Sequence, residues 1–235
     1  VASGSTSPEM EKKFAGQADS LVSLGISGFG EFTAEHLSLS PSHPYITAPP
    51  DHPLFLLLAD IAAKKNLPVD IHMEAVPEDM PLPDIPRLKG GNNPAVLKAN
   101  IKGFERLLAH NRKARIIWAH AGWCNTGKRT VRLMGELLGR HPNLYMSIKI
   151  GRDSMEETRP LTGDMKIRPE WVELVRKYPD RFMIGSDQFH LSPMSPMKQP
   201  PDRIEPIIAF ISQLPDGLAE RIGVENPRRF LKIGR

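Results

Sequence analysis

The chain has 235 residues, of which 40% are hydrophobic and 25% are charged, proportions that are ordinary for a soluble globular protein. No apolar stretch approaches the roughly 18 residues that a membrane-spanning helix needs, so we expect no membrane span. The net charge of +4 is mild and the basic residues are scattered, which argues against nucleic-acid binding.

Apolar periodicity predicts strands and helices that alternate along the chain. After a polar opening segment, helices are predicted over residues 8–24, 53–66, 95–110, 127–139, 169–177, 202–213 and 216–222. Short apolar runs predict five strands, over residues 25–31, 69–72, 115–120, 143–150 and 181–187. Three long loops are predicted over residues 35–51, 75–94 and 191–201. The second is rich in proline and is typical of a lid or binding loop.

The alternation of strand and helix predicts an α/β fold. A (β/α) barrel fits better than an open dinucleotide-binding sheet, because no G-x-G-x-x-G segment opens a helix. Successive units take roughly 40 residues, so eight units would need about 320, at the long end for such barrels. We therefore expect one domain over residues 1–235, a (β/α)8 TIM-type barrel that lacks its first two or three βα units.

Side chains of the kinds that bind metals end several of the predicted strands. His72, His120 and Asp187 each follow an apolar run, and Glu31 ends a fourth run. Parallel strands joined by crossover helices point the same way, so their C-terminal ends meet on one face. Two imidazoles and two carboxylates that converge there form a ligand set for a divalent ion. The plainer interpretation of each residue alone is a strand-end group bonded to the backbone.

Four short motifs carry a family resemblance. Gly-Phe-Gly-Glu at 28–31, Ile-His-Met-Glu at 71–74, Trp-Ala-His-Ala-Gly at 118–122 and Ile-Gly-Ser-Asp at 184–187 stand in this order at barrel-like spacing. They resemble the amidohydrolase superfamily, specifically its amidohydrolase-2 branch of (β/α)8 metal-dependent hydrolases and decarboxylases. The ending Glu-Asn-Pro-Arg-Arg-Phe-Leu at 225–231 is also similar to the closing helix of that branch.

The resemblance implies a role for each strand-end residue. His72 would end the fifth strand of the family barrel, His120 the sixth and Asp187 the eighth. Glu31 would end the fourth strand, where some branches use a carboxylate or a modified lysine to bridge two metals. The family also has a His-x-His pair on its first strand, and this sequence has none. We expect that pair upstream of Val1, or else an incomplete metal site.

The expected chemistry is hydrolysis by metal-activated water. A divalent ion with an open coordination position polarises a carbonyl and lowers the pKa of bound water. Asp187 would act as the general base, and His120 would contact the metal or the substrate oxyanion. Zinc is the expected metal, and manganese or iron suits the same nitrogen and oxygen ligands.

Further residues near the strand ends are candidates for substrate binding. The set is Glu74, Trp123, Lys149, Arg152 and His190. Each also has a plainer interpretation: Glu74 as a partner that orients His72 or as a loop carboxylate, and Lys149 as an exposed lysine. Cys124 is the only cysteine, which excludes an internal disulfide, and it lacks the paired histidine that a nucleophile needs. The remaining group, His36, His43 and His52, is interpreted as loop histidines at the border of the site.

Three functions stay open at this stage. The first is hydrolysis of an amide, ester or lactone of a small molecule. The second is nonoxidative decarboxylation of an aromatic or enoic acid, and the third is a catalytically inert, truncated barrel. The expected partner is a small-molecule substrate, with a homo-oligomer left open. The compartment is also open: cytoplasmic, or exported with a signal segment missing.

Overall fold

A computed structural model describes residues 5–151, 153–188, 191–194 and 204–232. Within these residues, six strands form one mixed sheet in the order β2-β1-β3-β6-β7-β8. Strands β1, β3, β6, β7 and β8 are parallel, and β2 pairs antiparallel with the end of β1. A separate ribbon is formed by β4 and β5. The strands are β1 (Phe29–His36), β2 (Ile46–Thr47), β3 (Pro68–Met73), β4 (Met80–Pro81), β5 (Val96–Leu97), β6 (Arg115–Ala121), β7 (Leu144–Ile148) and β8 (Phe182–Ile184).

Helices connect the parallel strands, as crossover connections require. They are α1 (Pro8–Ser23), α2 (Pro53–Lys65), α3 (Ile101–His110), α4 (Val131–Arg140), α5 (Pro169–Lys177), α6 (Ile204–Ile211), α7 (Asp216–Glu220) and α8 (Asn226–Leu231). Helix α5 has the predicted bounds, and its proline occupies the first turn, where a missing N–H costs nothing. No helix in the described part of the chain is long and apolar enough to cross a membrane.

The core lies between the sheet and these helices. One cluster of buried side chains joins residues from α1 through the π-helical turn before α8, with Trp118, Phe104 and Trp171 among the largest fully buried members. A smaller cluster, Ile117, Met183 and Phe230, packs against Tyr145 and Leu231. Ile117 and Met183 alternate with core residues along β6 and β8, so they lie on the other face of the sheet. Because Phe230 and Leu231 of α8 pack against them, α8 covers part of that face.

The α/β, barrel-type prediction is confirmed: five parallel strands are joined by crossover helices, and all but the first stand where the sequence predicts them. Among the described residues the sheet remains open and does not close into a barrel. One edge is β8, and the other is β1, which β2 covers only at Glu35 and His36.

Three predicted elements need correction, of which the helix predicted over 127–139 begins only at Val131. The first strand runs from Phe29 to His36, so Glu31 lies near its start and not at its end. The strand continues past Glu31 because Ala34 is buried and Glu35 finds internal partners, Tyr45 and Thr47. The predicted helix over 95–110 begins only at Ile101, because residues 96 and 97 pair with β4 and the Asn100 side chain bonds the neighbouring loop at Val76.

Candidate metal centre

Glu31, His72 and His120 form a compact cluster on one face of the sheet. Oε1 of Glu31 lies 2.8 Å from Nδ1 of His72, and Oε2 lies 3.0 Å from Nε2 of His120. One ligand atom from each residue lies within 4.8 Å of the other two. Both histidines are buried, whereas the side chain of Glu31 is 36% exposed. The cluster is therefore open to solvent on the carboxylate side.

Close packing of β1 against β3 brings Glu31 to His72. Gly30 has a φ of 151°, and a Cβ at this position would lie 2.6 Å from Cβ of Asp70. A side chain there would push the two strands apart, so the glycine of the Gly-Phe-Gly-Glu motif permits the approach. Asp70 and His72 are two residues apart on β3 and share a face, so Asp70 lies below the cluster.

His120 reaches the cluster through an irregular turn of β6. Its φ is 71°, a left-handed conformation that non-glycine residues rarely adopt. The register of β6 against β7 shifts between Trp118 and Ala121, so the side chain of His120 does not follow the regular alternation between the two faces of the sheet. Gly122 follows with a φ of 93°, and a Cβ there would lie 2.9 Å from the carbonyl oxygen of Lys149. These constraints explain the Ala-His-Ala-Gly spacing.

The ionisation of the cluster follows from its burial and its hydrogen bonds. Burial raises the pKa of Glu31, but hydrogen bonds from His120 and His72 outweigh this and hold the pKa well below its usual range. Burial lowers the pKa of His120 to about 4, so its imidazole is neutral at pH 7. Burial and the charge of Glu31 raise the pKa of Asp70 to about 7. A carboxylate and neutral imidazoles are the ionisation states that metal ligands require.

Two further histidines stand beside the cluster, and the sequence analysis placed them only in a bordering loop. His36 ends β1, and its ring centroid lies 4.5 Å from that of His72. The ring of His43 lies 4.6 Å from His36 on the other side. Burial lowers the pKa of His36 to about 4. Only the pairing of β1 with β3 reveals that His36 lies beside His72, since these two histidines belong to different predicted elements.

Asp187 takes part in a different arrangement from the one its ligand role implies. Its Oδ2 lies 2.7 Å from Nζ of Lys149, and it is not a member of the Glu31 cluster. The Lys149 ammonium lies 3.9 Å from the ring centroid of Trp123, whose own ring is 6.3 Å from that of His120. Lys149 is buried, contrary to its interpretation as an exposed lysine. The metal role of Asp187 and the substrate roles of Lys149 and Trp123 stay predictions.

Glu74 is buried and points into the protein. Its carboxylate accepts hydrogen bonds from the backbone N–H and the side-chain amide of Asn125, and from the thiol of Cys124. Contact with a substrate would require some of these bonds to break. Burial raises the pKa of the Cys124 thiol, which leaves it unreactive. Arg152 and His190, the last two candidates for substrate binding, lie outside the described residues.

The cluster fits a divalent metal ion. Its nitrogen and oxygen donors are the ligand types of zinc, manganese and iron, and ligand atoms around a tetrahedral zinc lie roughly 3.3–3.5 Å apart. The Glu31–histidine distances of 2.8 and 3.0 Å and the upper limit of 4.8 Å within the cluster bracket this range. Nδ1 of His120 is buried without a hydrogen-bond partner in the described part of the chain. No structural hydrogen bond at this nitrogen therefore fixes which of the two ring nitrogens carries the proton.

The family model for amidohydrolases, Amidohydro_2, matches residues 21–233. The chain belongs to the amidohydrolase family. The solved structure of dihydroorotase from Campylobacter jejuni is 15% identical, with 96% of this chain and 62% of that one covered and a TM-score of 0.54. This likeness supports the fold alone.

A second solved structure, ATU3138 of Agrobacterium tumefaciens, is 16% identical over 76% of this chain and 55% of that one, with a TM-score of 0.44. This amidohydrolase chain thus spans less than two thirds of the length of either structure. No curated protein matches the sequence.

Proposed function

We propose that this chain carries the metal centre of a metal-dependent hydrolase that cleaves an amide, ester or lactone bond of a small molecule. The observation that supports the proposal most strongly is the convergence of Glu31, His72 and His120 from three neighbouring parallel strands. Their ligand atoms meet at the C-terminal ends of β3 and β6, which is where barrel enzymes place their chemistry. Family membership agrees with this interpretation.

The three clustered residues would hold the metal, with zinc as the expected ion and manganese or iron as alternatives. When bound, the ion would polarise the scissile carbonyl and make water a better nucleophile. The protein's own contribution is to keep Glu31 ionised and His120 neutral, as burial and the hydrogen bonds between them do. Glu31 can then bind the ion directly, whereas a histidine nitrogen that donates a hydrogen bond to Glu31 must first pass its proton to the other ring nitrogen.

Asp187 is proposed as the general base. Its carboxylate, which pairs through Oδ2 with the Lys149 ammonium, would accept a proton from water and return it to the leaving group. Trp123 packs against the Lys149 ammonium and fixes its position. His120, beside Trp123, would stabilise the negative oxygen of the substrate if it does not bind the metal.

Decarboxylation is the second candidate. It requires a cation that binds a substrate carboxylate, and the buried ammonium of Lys149 is such a group. Binding would have to displace Asp187 from its present ion pair, a step that hydrolysis does not need.

Metal content and product analysis test the proposal together. The purified protein would be loaded with Zn²⁺, Mn²⁺ or Fe²⁺ in turn and its bound metal measured by mass spectrometry. Each form would be incubated with amide, ester and lactone substrates and with aromatic and enoic acids. We expect about one ion per chain and hydrolytic products, whereas release of CO₂ would favour the decarboxylase. Failure to retain any of the three metals would overturn the proposal.

Two variants show whether the cluster is the binding site. Glu31→Gln removes the anionic ligand with little change in shape and should weaken metal binding at least about 100-fold, beyond the loss typical for outer partners of a metal site. The matched control is His110→Gln. His110 bonds Asp60 at the protein surface, so this change should leave metal content unaltered.

A further inference from the structure

Arg129 occupies the loop between β6 and α4 and is 2% exposed. Its guanidinium packs over the indole of Trp118, with 4.0 Å between the guanidinium carbon and the ring centroid. A fully buried cation is rare and needs compensation. Burial lowers the pKa of Arg129 to about 10, and the charges of Cys124, Glu74, Glu31 and Asp70 oppose this only in part.

The guanidinium donates hydrogen bonds to two backbone carbonyls on neighbouring strands. Nη2 donates to the carbonyl oxygen of Met73 at 2.6 Å, and Nη1 donates to that of Ala119. Met73 directly follows His72, and Ala119 directly precedes His120. One planar group therefore joins the two backbone positions that carry the clustered histidines.

Strands β3 and β6 need such a link beyond the last pair of their ladder. The ladder between β3 and β6 ends at the pair Ile71 and Trp118, so the described residues beyond it have no ladder partner across these two strands. The slip of β6 against β7 also begins after Trp118. Carbonyls at the end of a sheet ladder require other donors when they are buried. The Trp118 indole N–H gives Met73 a second donor, at 2.8 Å.

We propose that Arg129 is a positioning residue that sets the spacing of His72 and His120 around Glu31 and thereby the affinity of the site for a divalent ion. This inference rests on the proposed function, since it assigns a role toward the metal. Arginine suits the task because its fork presents two parallel donors in fixed geometry, whereas lysine presents one compact charge. The cation also balances the carboxylates around the site.

Arg129→Lys is the decisive variant, because it keeps the charge and loses the two-carbonyl bridge. Arg132→Lys is the matched control, on the first turn of α4 with an 84% exposed side chain. Binding of Co²⁺ would be followed by visible absorption, and the folded state by thermal midpoint. We expect Co²⁺ affinity to fall about 10- to 100-fold in Arg129→Lys, as for other outer partners of metal sites, and to be unchanged in Arg132→Lys.

A purely structural Arg129 would lower the thermal midpoint and leave Co²⁺ affinity unchanged, which would overturn the inference. The metal-free protein gives a separate readout through the imidazole ¹H–¹⁵N signals of His72 and His120. We expect these signals to shift in Arg129→Lys, and unshifted signals would also overturn it. If the wild-type protein binds no Co²⁺, the proposed function fails, and the metal-free signals alone decide the positioning role.

Trp118→Phe covers the case in which Arg129→Lys does not fold. It retains an aromatic face for the guanidinium and removes one of the two donors to the Met73 carbonyl. We expect Co²⁺ affinity to fall at least about threefold, because residues that orient the metal ligands contribute to metal affinity. Unchanged affinity in folded Trp118→Phe would overturn the positioning role.

Discussion

Nζ of Lys149 lies 2.7 Å from Oδ2 of Asp187. The two residues follow neighbouring strands, β7 and β8, and the lysine side chain is only 5% exposed. The candidate general base is thus held beside a buried cation. This arrangement leads to two predictions about activity, and the buried groups around the cluster lead to two about stability.

Asp187→Asn should abolish most turnover with little change in the fold. The amide is nearly isosteric with the carboxylate but cannot accept a proton from water at neutral pH. Loss of general acid–base help costs roughly 10² to 10⁴ in rate. Turnover, bound metal and thermal midpoint would be measured on the same preparation. Near-normal turnover in the well-folded variant would remove Asp187 from the mechanism.

Lys149→Met should impair both stability and activity. The change leaves Asp187 without its ammonium partner, and because Asp187 is partly exposed we expect a loss of about 2 kcal/mol, below the cost for a fully buried pair. The rate should fall about tenfold or more, since the Asp187 carboxylate is no longer held in place by this ion pair. Chemical denaturation and steady-state kinetics measure the two effects. Lys177→Met, on the surface helix α5, is the control.

The metal-free protein should lose stability as the pH falls from about 6.5 to 4. Burial lowers the pKa of both His36 and His120 to about 4, below the unfolded value of 6.5. The unfolded chain therefore binds protons first in this window, and the free energy of unfolding decreases with each proton it gains. Asp70 opposes one of these two groups, because its pKa is raised to about 7 and the folded protein therefore binds a proton there before the unfolded chain does. The net slope is at most about 1.4 kcal/mol per pH unit.

Urea unfolding at several pH values, with a chelator present, would measure this slope. His36→Gln removes one of the two groups, so the slope should fall by up to about 1.4 kcal/mol per pH unit. His110→Gln changes a surface histidine and should leave the slope as it is. An identical slope in His36→Gln would show that His36 is protonated as easily in the folded protein as in the unfolded chain.

Glu74→Ala should destabilise the protein by about 2–4 kcal/mol. The change leaves the Asn125 N–H and amide groups buried without their acceptor, and such groups carry the full cost of lost hydration. Thermal and urea unfolding would measure the loss, with Glu173→Ala on the exposed face of α5 as the control. A Glu74 that serves substrate binding would behave differently: the variant would keep its stability and lose affinity for substrate.

Local pattern was enough to predict most elements of this fold. The alternation of apolar runs with 3.6-residue periods identified all five parallel strands and the bounds of α5. It failed where contacts distant in sequence decide the backbone. The first strand continues past Glu31 because Glu35 is satisfied by Tyr45 and Thr47 across β2, a pairing that no local pattern reveals.

The same distinction holds at the site. Strand-end chemistry pointed to His72 and His120 as neighbours, because parallel strands bring their C-terminal ends together whatever their side chains. Glu31 joins them from within β1, where Gly30 allows a close approach to β3. Strand-end chemistry also pointed to Asp187, but the bond with Lys149 depends on the register of β8 against β7. No sequence pattern pointed to Arg129, because an arginine in a polar loop is ordinarily exposed. Its buried position depends on the carbonyls of Met73 and Ala119, at the ends of β3 and β6, which accept its hydrogen bonds.

The sequence by itself determined the class of fold, the family motifs and the candidate ligands, because these follow from hydrophobic period and from residue type at strand ends. Only the tertiary structure decided which ligands meet, which carboxylate is held by a lysine, and which cation is buried beneath the cluster. The physical reason is that burial and hydrogen bonding set the charge and the position of each group, and both depend on residues 30 to 60 positions away in the chain.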